Sequence, residues 1–209
     1  MVEIKKKKQQ TMKVYEDNDQ FFDKFWEHID KAKDVICITT YDMDHKNIAG
    51  LTLRKLRNAA NRGVKVFILI DDLNFYVNKQ EIRDLEKAGG MVIRNQPFRY
   101  FYYHLMDFRL SPIFNRNHQK VMLVDDNLFC GSLNIANPYS RVRYGEGEFR
   151  DLNIVLTRQN CSKVRDFFRE MIVRNSRFYP DMIKPEKINQ YFKELDEKYE
   201  NEYGKFYEE

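Results

Sequence analysis

The sequence has 209 residues, of which 36 are Lys or Arg and 32 Asp or Glu, for a net charge of +4, and 43% are hydrophobic. With a third of its residues charged and 14% aromatic, it falls outside the disordered and fibrous classes, and its length allows a substantial core. No window approaches ~18 uninterrupted apolar residues, which argues against a membrane-spanning helix. Residues 1–18 read as a flexible basic leader, with a run from Lys5 to Lys8 and none of the apolar stretch that a secretory signal needs. Residues 19–33 predict a helix, because Phe21, Phe22, Phe25, Trp26 and Ile29 recur at helical spacing. A β-branched run over 35–40 predicts a buried strand. A second helix, 47–61, is stopped by Gly63, and a second buried strand, 64–70, ends at Asp71 and Asp72. A helix over 79–88 is closed by Gly89 and Gly90, and 91–94 is a third strand. This β-α-β-α-β order with continuous apolar strands predicts an α/β fold: a mixed, mostly parallel sheet flanked by helices on both faces. Residues 97–112 form a loop dense in aromatics, including Phe98, Tyr100, Phe101, Tyr102, Tyr103 and Phe108. Strands follow at 119–124, 128–130 and 151–156, then a helix at 161–175. From Pro185 onward a helix carries Ile188, Tyr191, Phe192, Leu195, Tyr199 and Phe206 on one stripe. The chain divides into the leader 1–18, a main domain 19–180 and an acidic C-terminal helix 181–209.

Charge is unevenly placed. Residues 185–209 hold four lysines and eight acids, a net of −4, so 1–184 carry +8. A basic body suits an anionic partner: nucleic acid, phospholipid headgroups or a phosphorylated small molecule. Cys37, Cys130 and Cys161 are odd in number and lack metal-like spacing, which points away from a disulfide framework and toward a reducing compartment. The expected location is cytoplasmic or peripheral to a membrane.

Chemistry concentrates in the segment from Asn117 to Asp125 and in Gly131-Ser132-Leu133-Asn134. Side chains alternate in an extended segment, so His118 and Lys120 share a face, an imidazole beside an ammonium. Ser132 and Asn134 share a face by the same rule. Gly131 permits close approach of the backbone to a ligand. The lysine cation, asparagine amide, serine hydroxyl and backbone N–H groups make a cradle for a phosphoryl group, with His118 placed as the nucleophile. Asp125 lies five residues past Lys120, on the opposite face, where it anchors the Asp126-Asn127 turn or a neighbouring strand. A two-residue loop at Asp126-Asn127 would turn Asn134 away, so the cradle requires an odd loop, a bulge, or a chain that leaves the strand at Gly131. Among other candidates, His28 reads as structural. Asp42-Met43-Asp44-His45 reads as a capping loop, and Asp71-Asp72 as a strand end with either a site or a capping role. The chain has no His, Cys and carboxylate cluster with ligand spacing, and no cofactor is expected.

The spacing H-x-K-x4-D followed by G-S-x-N is similar to the signature of the phospholipase D superfamily. The stretch from Asn115 to Asp125, the run Gly131 to Ala136, Phe149-Arg150-Asp151 and Arg62-Gly63-Val64-Lys65-Val66 most resemble its bacterial-type cardiolipin synthase branch, over about 19–179. The resemblance implies an α/β/α sandwich and metal-free phosphoryl transfer on phospholipid through a phosphohistidine. It gives His118, Lys120 and Asp125 as the catalytic triplet, and Gly131, Ser132 and Asn134 at the phosphate. Asp151, chosen over Glu146 and Glu148, orients the histidine. It also implies a second histidine from a second motif, which protonates the leaving alcohol. Cardiolipin synthases carry two such motifs, whereas this chain has one and shows no hydrophobic N-terminal segment like theirs. A homodimer, one half of a split or truncated two-motif enzyme, or an inactive remnant are the readings left open. Nucleic acid is the alternative substrate, and peripheral membrane contact is compatible with the phospholipid one.

Overall fold

In the computed structural model, which describes residues 11–71, 76–95, 117–141, 143–144, 147, 149–157 and 161–203, a seven-stranded sheet is layered between helices. The strands are β1 (Thr11–Tyr15), β2 (Val35–Thr40), β3 (Lys65–Asp71), β4 (Met91–Asn95), β5 (Val121–Val124), β6 (Asn127–Gly131) and β7 (Asn153–Thr157). The helices are α1 (Asn18–Lys31), α2 (Asn47–Asn61), α3 (Lys79–Lys87), α4 (Ser162–Arg174) and α5 (Pro185–Tyr203). Asp17 caps α1, its carboxylate accepting from the amides of Asp19 at 2.9 Å and Gln20 at 3.3 Å. Beyond α2 the chain turns at Gly63, whose φ of 94° is open to glycine and costly for other residues.

The strand order is β1-β7-β6-β5-β2-β3-β4. β2, β3 and β4 pair in parallel, as the alternation of strands and helices predicts. The remaining pairings, β2 with β5, β5 with β6, β6 with β7 and β7 with β1, are antiparallel. The expectation of a mostly parallel sheet is thereby corrected. Short links between β5 and β6 leave no room for a parallel crossover, which needs a dozen or more residues.

Alternation along β2 builds a core on each face. Ile36 and Ile38 join Phe21, Phe25, Leu53 and Leu56 from α1 and α2, whereas Val35 and Cys37 join Phe168, Ile172, Phe192 and Leu195 from α4 and α5. Burial pushes the Cys37 thiol far up, so it behaves as an apolar side chain. The acidic C-terminal helix is part of this sandwich: Asp196 pairs with the buried Arg165 at 2.5 Å, and Lys198 and the Tyr199 hydroxyl reach Asp34 at 2.6 and 3.0 Å.

Two expectations are revised. The leader does not run to residue 18, because Thr11–Tyr15 pair along β7, Thr11 opposite Thr157 and Tyr15 opposite Asn153. The β5–β6 hairpin pairs Val124 with Asn127, so its two-residue turn is Asp125-Asp126, one residue earlier than expected. Asp125 holds a φ of 53°, as the primed hairpin turns require at that position. The strand then ends at Gly131, one of the three ways in which the site could form.

Candidate active site

Four chain segments meet where β2 ends. β5 runs antiparallel to β2 with Val121 opposite Thr39, so residues 117–120 lie beside the carboxyl end of β2. β6 leaves its strand at Gly131 next to Asn153, which brings 131–140 and 149–153 to the same edge. The buried Asn117 fixes the approach to β5, donating from Nδ2 to Thr39 Oγ1 at 3.0 Å and accepting from the Gln119 amide at 3.1 Å.

His118 is exposed and Lys120 half-buried. Lys120 Nζ lies 3.4 Å from His118 Nδ1 and donates to the His118 carbonyl at 3.0 Å, the juxtaposition that alternation predicts. An ammonium only donates, so Nδ1 meets it with a lone pair. The imidazole lies against the Tyr41 ring, centroids 4.0 Å apart and planes tilted by 35°, and the Lys120 ammonium is 5.6 Å from the same ring. Burial lowers the Lys120 pKa, while the charges of Asp151 and Asp42 raise it. Burial and the Asp44 charge push Asp42 up, offset by the Met43 amide and Lys120.

The structure brings the second half of the signature to the same edge with altered detail. Ser132 donates to Asp151 Oδ1 at 2.5 Å. Asp151 Oδ2 is buried with no hydrogen-bond partner among the described residues. The described contacts place Asp151 on Ser132 and within electrostatic reach of Lys120, and include none between Asp151 and His118. Glu146 and Glu148 lie outside the described residues, as do the aromatic loop 97–112 and His104. Asn134 is buried. Its Oδ1 accepts from the Asp42 amide at 3.3 Å and the Thr40 hydroxyl at 3.4 Å, and its Nδ2 gives one of two hydrogens to Tyr139 at 2.7 Å. Gly131 admits a protein side chain where a ligand was expected: a Cβ there would sit 2.8 Å from Asn153 Cγ and 3.0 Å from its Cα.

Asp125 is at the other end of the sheet. Its carboxylate accepts from the amides of Lys33, Asp34 and Val35 at 2.9, 2.9 and 3.0 Å, and its own amide donates to the Val35 carbonyl. Its membership of the catalytic triplet is corrected: it is an anchor of β2, as its face in the strand indicated. His28 is structural, its Nδ1 held 2.8 Å from the Lys24 carbonyl. Asp44 ties the loop after β2 together, accepting from the amides of Lys46 at 2.9 Å and Asn137 at 2.8 Å, while the amide of Ile48 in the first turn of α2 donates to Asn137 Oδ1 at 3.0 Å.

Tyr41, Asp42 and Tyr139 are site residues that the sequence reading missed. The available signal was position: Tyr41 and Asp42 directly follow a parallel strand, where open α/β sheets place their sites.

A family model described as cardiolipin synthase, PLD-like domain, matches residues 25–171. The chain is 27% identical over 182 residues to a cardiolipin synthase of Staphylococcus aureus, covering 82% of this chain and 36% of that protein. It therefore spans about a third of the length of the curated relatives it matches. Two solved structures share the fold: NucT from Helicobacter pylori (TM-score 0.56, 19% identity, 78% of this chain and 96% of that one) and the phosphatidylserine synthase of Haemophilus influenzae (TM-score 0.55, 14% identity, 89% and 43%).

Proposed function

Because the chain belongs to the cardiolipin synthase family of phospholipase D-like domains, we propose that it transfers or hydrolyses phosphodiesters of phospholipids through a phosphohistidine at His118. The observation that carries this reading is an exposed imidazole and a lysine ammonium held together at the sheet edge where Ser132, Asn134 and Asp151 converge. In the first step an imidazole nitrogen attacks phosphorus, a P–N bond forms and the bond to the first alcohol breaks. Lys120, turning from the ring to the phosphoryl oxygens, stabilises their charge with Asn134 and backbone donors. Its departure frees Nδ1, and in the tautomer with the ring proton on Nδ1 and the lone pair on Nε2 that N–H donates to a carboxylate, for which Asp151, with its unsatisfied Oδ2, is the candidate. Water or a second alcohol then attacks phosphorus, the P–N bond breaks, and the imidazole is regenerated.

Phospholipid is favoured over nucleic acid by the rim. Phe149 and Leu152, which flank Asp151 in sequence, are 47% and 58% exposed, an apolar pair suited to acyl chains. The nucleic-acid reading has the +8 body in its favour and requires a steep salt dependence. The deciding assay incubates the protein with phosphatidylglycerol vesicles and, separately, with single-stranded DNA, both in EDTA. Released glycerol or newly formed cardiolipin is the expected result. Cut strands would transfer the function to nucleic acid, and activity restored only by a divalent cation would refute metal-free transfer.

The leaving alcohol needs a proton from the side opposite the nucleophile. We assign it to His118 of a second copy across a two-fold axis, each shared site then holding two Lys120 and two Asn134. Inactive His118→Ala chains mixed into wild-type protein are expected to lower activity beyond simple dilution. Activity linear in the wild-type fraction, from a protein that runs as a monomer, would contradict the shared site.

A further inference from the structure

Tyr41 has no part in the signature, yet its ring is the surface against which His118 rests. We propose that Tyr41 is a positioning residue that sets the plane of the His118 imidazole and lends its ring face to the positive charge the imidazole acquires on attack. The inference rests on the reading of His118 as nucleophile. Its observations are the 4.0 Å centroid separation, the 35° tilt and the Lys120 ammonium 5.6 Å from the same ring.

The backbone makes the contact rigid. Tyr41 directly follows the buried end of β2, and Asp42 is tied through its amide to Asn134. His118 follows Asn117, which is bonded to Thr39. Both rings are therefore carried by the same strand end. When a nitrogen of a neutral imidazole attacks phosphorus, the ring becomes cationic while the departing oxygen takes the bonding pair. An aromatic face attracts that charge more than it attracts the neutral ring. An interaction that strengthens along the reaction raises kcat more than it changes KM. No hydrogen bond of the Tyr41 hydroxyl is present among the described contacts, so the ring face is the part that matters.

The test separates this contact from ordinary packing and does not need a known substrate. Diethyl pyrocarbonate transfers an ethoxycarbonyl group to an imidazole nitrogen: an N–C bond forms as the bond to ethyl carbonate breaks. The rate at His118 is followed by mass spectrometry in wild type, Tyr41→Phe, Tyr41→Leu and a chain with pentafluorophenylalanine at 41. That last ring has nearly the same shape and an inverted quadrupole. Phe is expected within about two-fold of wild type, and Leu and the fluorinated ring slower by a factor on the order of ten. His45, which is exposed, and His28, whose burial is lost on unfolding, report in the same digest that each variant is folded. Any other ranking, above all a fluorinated ring as good as tyrosine, overturns the inference. With a phosphodiester substrate the same ranking is expected in kcat at unchanged KM. If the wild type turns over no phosphodiester, the catalytic reading fails while the modification rates still decide the role of Tyr41.

Discussion

Replacing His118 with alanine is expected to lower turnover by 10²-fold or more, about 2.7 kcal/mol of transition-state stabilisation, since no other group in the motif can form the covalent intermediate. The side chain is exposed and rests on Tyr41 and Lys120 alone among the described contacts, so its removal should leave stability unchanged. His118→Asn is expected to be equally inactive while still binding phosphate through Lys120 and Asn134. Steady-state rates measured beside phosphate binding separate the two effects. Residual activity above about one per cent in His118→Ala would remove His118 from the nucleophile's role.

Asp125→Ala is expected to show the opposite pattern, a loss of stability with little loss of chemistry. Three backbone amides at the start of β2 lose their acceptor, and bonds to a carboxylate are stronger than neutral ones. Alanine must also hold the φ of 53° in the hairpin turn. With allowance for the exposed Lys33 amide, the expected cost is about 3 kcal/mol, read from urea unfolding. Asp125→Asn keeps one acceptor oxygen and tolerates the left-handed conformation, and it should lose about half as much. The kcat of folded Asp125→Ala is expected to stay within two-fold of wild type. Unchanged stability with lost turnover would return Asp125 to the catalytic group.

The part of the molecule most legible in sequence is the first parallel unit. The strand Val35–Thr40 and the helix Asn47–Asn61 have the bounds that their apolar patterns and the Gly63 stop indicate. β1 was not legible: of its five residues only Tyr15 is buried, so it reads as a polar leader until β7 supplies a partner. Strand direction was legible only at the short β5–β6 link, which forces a hairpin; for β5 beside β2 and β7 beside β6 it was not, because a short apolar run looks the same in either sense. A one-residue error in the β5–β6 turn follows from Asp125, whose positive φ is supported by bonds to residues 90 positions away in sequence.

At the site, local alternation was enough to put His118 beside Lys120. Tyr41 and Asp42 arrive from the end of β2 and Tyr139 from the chain after β6; the pairing of β2 with β5 sets Tyr41 against His118, and Asn134 ties Asp42 to Tyr139. Gly131 shows the same limit: a glycine marks a close approach in sequence, but the partner is Asn153 of the next strand. The family match over 25–171 accords with the signature, and the placement of its residues adds that the aspartate of H-x-K-x4-D belongs to the opposite end of the sheet.

The central claim is the covalent step, and it is tested most directly by trapping it. Wild-type protein mixed with vesicles of a phospholipid that it turns over, quenched in alkali within the first turnover and digested, is expected to carry a phosphodiester adduct that is stable in base and labile in acid. The adduct should map to the peptide containing His118 and be absent from His118→Ala. Turnover without any adduct on His118, or an adduct on another residue, would contradict the account.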